Sequence, residues 1–503
     1  MSPGAWIIAA ILIPAIGALI IPLFRKSPNA RETVTLVTAG LLFLCVMKVL
    51  SLFLAGGKLE VTVWQVTPAL ALAFRIEPLG MLFACVASTL WIVNSVYSIG
   101  YMRGHDEPRQ TPFYVCFAVA LSATIGLAFS ANLFSLFIFY ELLTISTYPL
   151  VSHNRTKEAM RGGRIYLCML LGSSLLLLLP AILITFALTG TLDFTQGGIL
   201  GGKASSMVLG LLLALYAFGI GKAGIMPGHF WLPAAMVAPT PVSALLHAVA
   251  VVKAGVFCVL KIVVYVFGID TLRQSGQTDW LIFMASFTIL AASIVAILQD
   301  NLKKRLAYST VSQLSYIVLA AALATQASII GGGMHIVMHA AGKITLFFCA
   351  GAIYVAHHKT EISQLDGLGR KMPFTFAAFL IGSLSIIGLP PFGGVWSKWV
   401  ISVGALEAGY VMAVAVLMIS SLLNVAYLLP IVARGFFRPA PPDDHHGDGH
   451  HGHHSSGDGI AEAPLACVVP LCITAGFCLL LFFFPNELEA LIKMAFAKSG
   501  GAQ

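Results

Sequence analysis

Residues 329–355 read IIGGGMHIVMHAAGKITLFFCAGAIYV. A run of this length can cross a bilayer as one α-helix, which needs about 20 apolar residues. It nevertheless carries His335, His339 and Lys343, and an ionisable side chain at membrane depth must face protein or water rather than lipid. A spanning helix with one polar stripe therefore predicts a bundle of other spanning helices around it.

Similar apolar runs recur along the whole chain. Of its 503 residues, 58% are hydrophobic and 10% are charged, whereas soluble proteins carry about 25% charged residues. This composition excludes a soluble enzyme, and it also excludes a disordered chain, which has low hydrophobicity. The runs are too long and too uniform for transmembrane strands. We predict an all-α polytopic membrane protein with about fourteen spans, numbered in order: 5–24, 33–55, 78–100, 112–129, 132–151, 163–189, 206–230, 240–266, 280–299, 306–325, 329–355, 374–402, 407–433 and 463–484.

The basic residues between the spans predict the orientation. Seventeen lysines and arginines follow odd-numbered spans and six follow even-numbered spans. Because cytoplasmic loops carry the excess of positive charge, both termini are predicted on the outer side of the inner (plasma) membrane. The same residues are scattered over short loops, so they predict no nucleic-acid partner.

Cysteine spacing and nucleotide motifs give no indication of a cofactor. The nine cysteines lie in apolar runs without C-x-x-C spacing, and no phosphate-binding or dinucleotide fingerprint occurs. We therefore expect neither a cofactor nor a metal in the bundle. Residues 434–462 are predicted to form a cytoplasmic loop; its run 443–454, DDHHGDGHHGHH, is either a solvated linker or a weak metal or proton buffer.

Two of the predicted spans contain helix-breaking residues beside a lysine. Lys222 lies in GIGKAG (residues 219–224), with Pro227 close behind, and Lys398 follows GLPPFGG (residues 388–394). A break frees backbone carbonyls and admits water, which allows a cation at depth. Paired breaks in spans 7 and 12 point to inverted repeats and an ion site; two unrelated packing kinks are the alternative.

The remaining ionisable residues within the spans predict a proton path. His335, His339 and Lys343 follow one another at intervals of four, so they share one helix face. Neutral imidazole accepts a proton on one nitrogen and releases one from the other. Satisfied core histidines are the alternative interpretation. His247 and Lys253 in span 8 and Glu141 in span 5 complete the set of deep groups, whereas Lys48 and Lys261 lie near span ends, where snorkelling is expected.

Glu141 and Lys222 together suggest an electrostatic switch. Burial favours the neutral form of a lysine, and a nearby carboxylate favours the charged form. If the two side chains pair, their separation would release a proton from Lys222, and their return would favour uptake.

Longer motifs carry a resemblance to a known family. They are PGHFWLPAA (227–235), APTPVSALLH (238–247), LKKRLAYSTVSQ (302–313), HAAGK (339–343) and GLPPFGG (388–394). With them the chain resembles the antiporter-like, proton-translocating membrane subunits shared by respiratory complex I, Mrp-type Na⁺/H⁺ antiporters and membrane-bound hydrogenases.

The resemblance implies a domain organisation and a role for each deep residue. Residues 1–111 precede two inverted five-helix repeats, 112–266 and 280–433, which are followed by the loop 434–462 and by 463–503. Glu141 and Lys222 are implied to be the coupling ion pair, and Lys398 the terminal group. Lys253 is implied to be the relay of the first half, and His335 and His339 the central relay. His247 and Lys343 are implied to belong to the same proton path.

The motif PPFGGVWSKW (390–399) looks closest to the D-type subunit of Mrp complexes and to its hydrogenase counterpart. We therefore expect a subunit of a Mrp-type cation/proton antiporter, and keep a proton-pumping subunit of a complex-I-like oxidoreductase as the alternative. The expected partners are other small hydrophobic membrane subunits, protons and, as a second ion, Na⁺. An independent one-chain transporter and a scaffold with idle charges are the competing hypotheses.

Overall fold

The computed structural model describes residues 3–439 and 459–496, so the His-rich run 443–454 lies outside the described residues. Within these ranges, twelve helices are long and apolar enough to cross a membrane. They are Pro3–Phe24, Pro28–Leu54, Pro78–Gly104, Gln110–Ala128, Leu133–Val151, Lys157–Thr189, Thr240–Phe267, Asp279–Leu298, Leu302–Leu323, Gln326–His357, Val411–Phe437 and Leu465–Phe483. They correspond to predicted spans 1–6, 8–11, 13 and 14. The chain is a multi-pass membrane protein.

Predicted spans 7 and 12 are the two that break. Span 7 is the helix Ser206–Gly219 followed by the 3-10 turn Gly221–Ala223. Span 12 consists of the helices Pro373–Ile387 and Gly394–Glu407. Glycines with positive φ stand at both breaks, Gly224 at +68° and Gly388 at +88°, a conformation that glycine adopts without steric cost. The broken helices are confirmed, while the total of fourteen crossings stays a prediction.

Several spans contain turns of another helix type or are followed by short helices. Span 6 comprises Lys157–Ser173, the π-helical turn Ser174–Leu178 and Leu179–Thr189. Span 8 comprises Thr240–Ala244, the π-helical turn Leu245–Val249, Val251–Ile262 and the π-helical turn Val263–Phe267. Span 1 is Pro3–Ile20 with the 3-10 turn Ile21–Phe24. The short elements are Trp231–Ala234, Ala235–Val237, Ile269–Ser275, Ile362–Gln364, Leu368–Lys371 and Pro485–Lys493.

A β-hairpin between spans 2 and 3 was not predicted. Strand Glu60–Thr67 pairs antiparallel with Leu70–Arg75, from Glu60 opposite Arg75 to Thr67 opposite Leu70. The first strand, EVTVWQVT, is rich in β-branched and aromatic residues, which favour strands. Because the all-α prediction was drawn from spanning runs, it gave this short segment no structure.

The core of the bundle is formed by spans 8, 10 and 11. The most apolar windows of these helices are 100%, 94% and 94% buried, compared with at most 39% for spans 1, 2, 6, 13 and 14. Span 11 packs against spans 3, 10, 12 and 14. In span 8, a Cβ on Gly255 would overlap the backbone of Lys222. The lack of a side chain at Gly255 therefore allows span 8 to pack against the break in span 7.

Candidate functional site

Lys222 is fully buried beside the break in span 7, and span 5 supplies its partners. Its Nζ donates to the carbonyl oxygen of Tyr140 at 3.0 Å and to Thr144 Oγ1 at 2.6 Å. The same nitrogen lies 3.1 Å from the centroid of the Tyr140 ring, which adds a cation–π attraction. Neutral oxygens and one aromatic face therefore hold the ammonium in this structure.

Glu141 is the next residue on span 5, yet no salt bridge joins it to Lys222 in the part of the chain that the structure describes. Both of its carboxylate oxygens are buried, and the Ser174 side chain is close enough to interact with the carboxylate. Consecutive helical residues point about 100° apart, and Lys222 uses the face of Tyr140 and Thr144. The two side chains therefore make no direct contact here, although they are close enough to interact electrostatically, and the coupling role of the pair stays a prediction.

Spans 8 and 11 meet through Lys253 and His339. Lys253 Nζ contacts His339 Nδ1, and both side chains are buried. The His339 ring stacks near that of His335, with centroids 5.7 Å apart and planes inclined by 19°. His335 Nδ1 is hydrogen-bonded to Ser397 Oγ at 2.9 Å. Lys253, His339 and His335 thus form a row of side chains. The row reaches Ser397, the residue that precedes Lys398 in span 12.

The break in span 12 builds the site of Lys398. Its Nζ donates to the carbonyl oxygen of Ile387 at 2.8 Å and to Ser421 Oγ at 3.0 Å. Ile387 is the last residue of its helix, so its carbonyl has no partner within that helix. A Cβ at Gly388 would lie 2.9 Å from Lys398 Cδ. The break therefore supplies both an acceptor and room for the side chain.

Lys343 and His247 lie off this row. Lys343 Nζ donates to Ser309 Oγ at 2.6 Å and to the Leu306 carbonyl at 3.3 Å, so it turns toward span 10. The His247 ring lies 4.9 Å from that of Phe347, and neither of its nitrogens has a hydrogen bond within the described residues. Sharing a helix face with the two histidines did not place Lys343 in their row.

Several hydroxyl groups at the site were missed by the sequence analysis. Thr144, Ser309, Ser397 and Ser421 receive or exchange hydrogen bonds with the deep lysines and histidines, and the Tyr316 ring stacks on His335 with centroids 5.4 Å apart. Serines and threonines are common in spanning helices. Only their position relative to a partner on another span distinguishes these few.

The expectation that Lys261 snorkels is wrong. This side chain is fully buried, and its Nζ lies 3.1 Å from Glu77 Oε2 and 2.7 Å from the Ser130 carbonyl oxygen. Arg75, at the end of the hairpin, forms a second salt bridge to Glu77 at 3.1 Å. The hairpin ends beside this part of span 8, so Lys261 pairs within the protein. Glu77 is a buried carboxylate that the sequence analysis did not identify.

Histidine, cysteine and carboxylate groups do not gather into a metal site in residues 3–439 and 459–496. No three of them come together in a way that could hold an ion. The deep side chains are lysines and histidines, and a neutral histidine can accept a proton on one ring nitrogen. These groups can exchange protons by direct contact or through the neighbouring hydroxyl groups.

Comparisons with known proteins identify the family. The profile of NADH:quinone oxidoreductase/Mrp antiporter transmembrane proteins matches residues 130–424. The chain is 32% identical, over 377 residues, to NADH-quinone oxidoreductase subunit N of Desulforudis audaxviator, and the match covers 74% of each protein. It is 30% identical over 516 residues to the A-type subunit of the Na(+)/H(+) antiporter of Alkalihalophilus pseudofirmus, and that match covers 95% of this chain and 61% of the relative.

The fold has a solved counterpart. A chain of the Mrp complex from Dietzia sp. DQ12-45-1b superposes with a TM-score of 0.84 at 22% identity, covering 97% of this chain and 96% of the other. The residues that the family profile matches include every predicted site residue from Glu141 to Lys398. The resemblance drawn from the motifs is confirmed: the chain is an antiporter-like membrane subunit that belongs to the NADH:quinone oxidoreductase/Mrp antiporter transmembrane family.

Proposed function

We propose that this chain translocates protons as one subunit of a multi-subunit membrane complex. The observation that carries the proposal is the contact of Lys253 Nζ with His339 Nδ1, which joins two of the most buried helices through protonatable groups. Charged and polar side chains at such depth are costly. A buried row of them is most simply explained by proton transfer along it.

The central part of the path runs from Lys253 to Lys398. Lys253 passes a proton to Nδ1 of His339, which can release one from Nε2. The Nε2 atoms of His339 and His335 are both buried without a hydrogen bond within the described residues. The proton on His339 Nε2 can therefore pass to Nε2 of His335, directly or through a bridging water. His335 then connects through Ser397 to the region of Lys398.

The first half supplies the switch. In the arrangement seen here Lys222 binds Tyr140 and Thr144 and makes no salt bridge to the buried Glu141 carboxylate. A swing of the ammonium toward Glu141 is the second state. Alternation between a neutral and an anionic partner changes how tightly Lys222 holds its proton.

The complex is proposed to be a Mrp-type monovalent cation/proton antiporter, with this chain in the place of the D-type subunit. The motif PPFGGVWSKW supports that placement. The subunit needs other small hydrophobic membrane subunits, and it moves protons while Na⁺ is the second ion of the complex. It lies in the plasma membrane with both termini outside. Direct sodium binding in this chain is disfavoured because sodium prefers several oxygen ligands.

A proton-pumping subunit of a complex-I-like oxidoreductase is the second candidate. The observation in its favour is the 32% identity to a NADH-quinone oxidoreductase subunit over 74% of both chains. The chain itself is proposed to hold no redox centre in either case. The two candidates therefore differ in their partners and not in this polypeptide.

Purification of the intact complex in mild detergent, followed by mass spectrometry and reconstitution, tests the proposal. Small hydrophobic subunits and sodium-dependent proton movement in vesicles are the expected result. Iron–sulfur or hydrogenase-like partners with proton movement driven by a reductant would select the second candidate. A lone chain that moves protons would overturn the multi-subunit assignment, and a complex without proton movement would overturn the transport function.

A further inference from the structure

A cavity of about 940 Å³ lies beside spans 1, 2 and 4, away from the proton path. Its lining includes Arg25 after span 1, Arg31 in the first turn of span 2 and Arg109 before span 4. Pro112 and Val115 are among its apolar lining residues. Glu107 also belongs to the lining. Three arginines beside an apolar wall suit an amphiphilic anion, provided that this one carboxylate does not cancel their charge.

Arg31 is the fixed part of this cavity. The residue is only 4% exposed, and its guanidinium donates to Gln110 Oε1 at 2.6 Å and to Thr111 Oγ1 at 3.2 Å. Its Nε, however, is buried without a hydrogen bond among the described residues. A buried donor without a partner is costly. Protein groups therefore hold Arg31 in place, and it adds a fixed positive charge to the lining of the cavity.

The neighbouring carboxylates leave the positive charge of the cavity in excess. Glu32 is bonded by Arg103 as well as by Arg31. Burial raises the pKa of Glu107 above its ordinary value, and nearby His105 and Lys303 counter its charge when it ionises. In the part of the chain that the structure describes, Arg25 and Arg109 take part in no salt bridge. Both side chains are exposed and free to bind an anion.

We propose that this cavity binds the phosphate of an anionic phospholipid, with Arg25, Arg31 and Arg109 around the phosphate and the start of an acyl chain along Val115. Arginine binds phosphate through two parallel hydrogen bonds. Basic pockets between helices on the cytoplasmic side are suited to anionic headgroups, and all three arginines lie on the side that the positive-inside pattern predicts to be cytoplasmic.

A free phosphate ion offers the same headgroup chemistry, but the location favours a lipid. Spans 1 and 2 are among the least buried helices of the bundle, with 39% and 33% of their apolar windows covered, so the rest of this chain leaves much of their surface open to lipid. The proposal does not depend on the direction or the ion of transport, because none of the three arginines belongs to the proton path.

Native mass spectrometry of the full chain in detergent, titrated with phosphatidylglycerol or phosphatidylcholine, tests the proposal. We expect one phosphatidylglycerol to bind at least about tenfold more tightly than phosphatidylcholine, and the preference to weaken with added salt. The double substitution R25Q/R109Q removes the two exposed guanidinium groups and leaves Arg31 with its protein partners. It should abolish the preference, whereas R161Q, an exposed arginine in span 6 away from the cavity, should keep it.

Three outcomes would overturn the assignment. They are equal binding of the two lipids, an unchanged preference in R25Q/R109Q, and displacement of phosphatidylglycerol by inorganic phosphate, which would make this a site for a small anion. Retention volume in size-exclusion chromatography checks that each variant is folded. If the double variant does not fold, the single substitution R109Q replaces it, and we expect R109Q to reduce the preference for phosphatidylglycerol by a smaller amount.

Discussion

The ammonium of Lys253 lies against Nδ1 of His339, so spans 8 and 11 are linked by two groups that are both cationic when protonated. Two positive charges in contact inside a low-dielectric bundle repel strongly. The pair can therefore carry one excess proton at low cost and not two. A proton that arrives at one side chain favours release from the other, which is the behaviour that a relay needs.

Replacing either member of this pair should stop transport without loss of the fold. Lys253→Met and His339→Gln keep the volume of each side chain, and we expect proton movement to fall by roughly 100-fold or more, a typical effect of losing a proton-transfer group. Proton uptake by vesicles containing the complex measures this. Lys48→Met, at an exposed position of span 2, is the matched control. Transport near the wild-type rate in both pair variants would exclude the relay.

Glu141→Gln tests the switch in the first half. The amide has the shape of the carboxylate but no charge, so Lys222 loses the anion that would help it to hold its proton. We expect coupling to be abolished while the complex assembles normally. Glu158→Gln, an exposed carboxylate at the start of span 6, should have no effect on transport. Unimpaired transport by Glu141→Gln at normal expression would refute the switch.

Lys398→Ala tests the end of the path. The lysine fills the break in span 12, where water can replace it as the donor to the Ile387 carbonyl. The subunit should therefore assemble, and transport should be lost. Co-purification of partner subunits and proton movement are the two readouts, with the exposed Lys371→Ala as a control. Failure to assemble would instead mark Lys398 as a structural residue.

Gly255 should tolerate no side chain, because a Cβ there would overlap the backbone of Lys222. Overpacking of this kind costs about 1–3 kcal/mol. We expect Gly255→Ala to lower the thermal midpoint of the purified chain and to reduce transport, since the break in span 7 must move. Gly172 in span 6 has no atom within 4 Å of its Cβ position. Gly172→Ala should be neutral or slightly stabilising, and equal effects of the two substitutions would contradict this packing.

Lys261→Met tests the buried cluster at the end of span 8. Removal of one member of a buried ion pair costs about 3–5 kcal/mol, because the other charge stays buried. Glu77 keeps Arg75 as a partner, so we expect the lower end of that range, seen as a lower thermal midpoint. The double substitution Lys261→Met/Glu77→Gln should recover part of the loss. A lysine that snorkels into the headgroups would show neither effect.

The amino-acid pattern determined the class of fold and the positions of its breaks. The length of an apolar run can be read from consecutive residues. The helix-breaking effect of residues 219–224, or of Pro390 and Pro391, can be read in the same way. The ionisable residues within the spans were therefore recognisable one by one, and the longer motifs identified the family. The hairpin at residues 60–75 was not predicted, because short strands give a weaker pattern in the sequence than a spanning helix does.

Only the tertiary structure decided which of these residues meet. Lys222 binds Tyr140 and Thr144 in place of Glu141, Lys343 turns from the histidines toward Ser309, and Lys261 pairs with Glu77. Each of these contacts joins residues from different helices, separated by tens to hundreds of positions in the chain. The reach of a side chain to its partner depends on how those helices pack, rotate and break against one another, and no spacing within one helix contains that information.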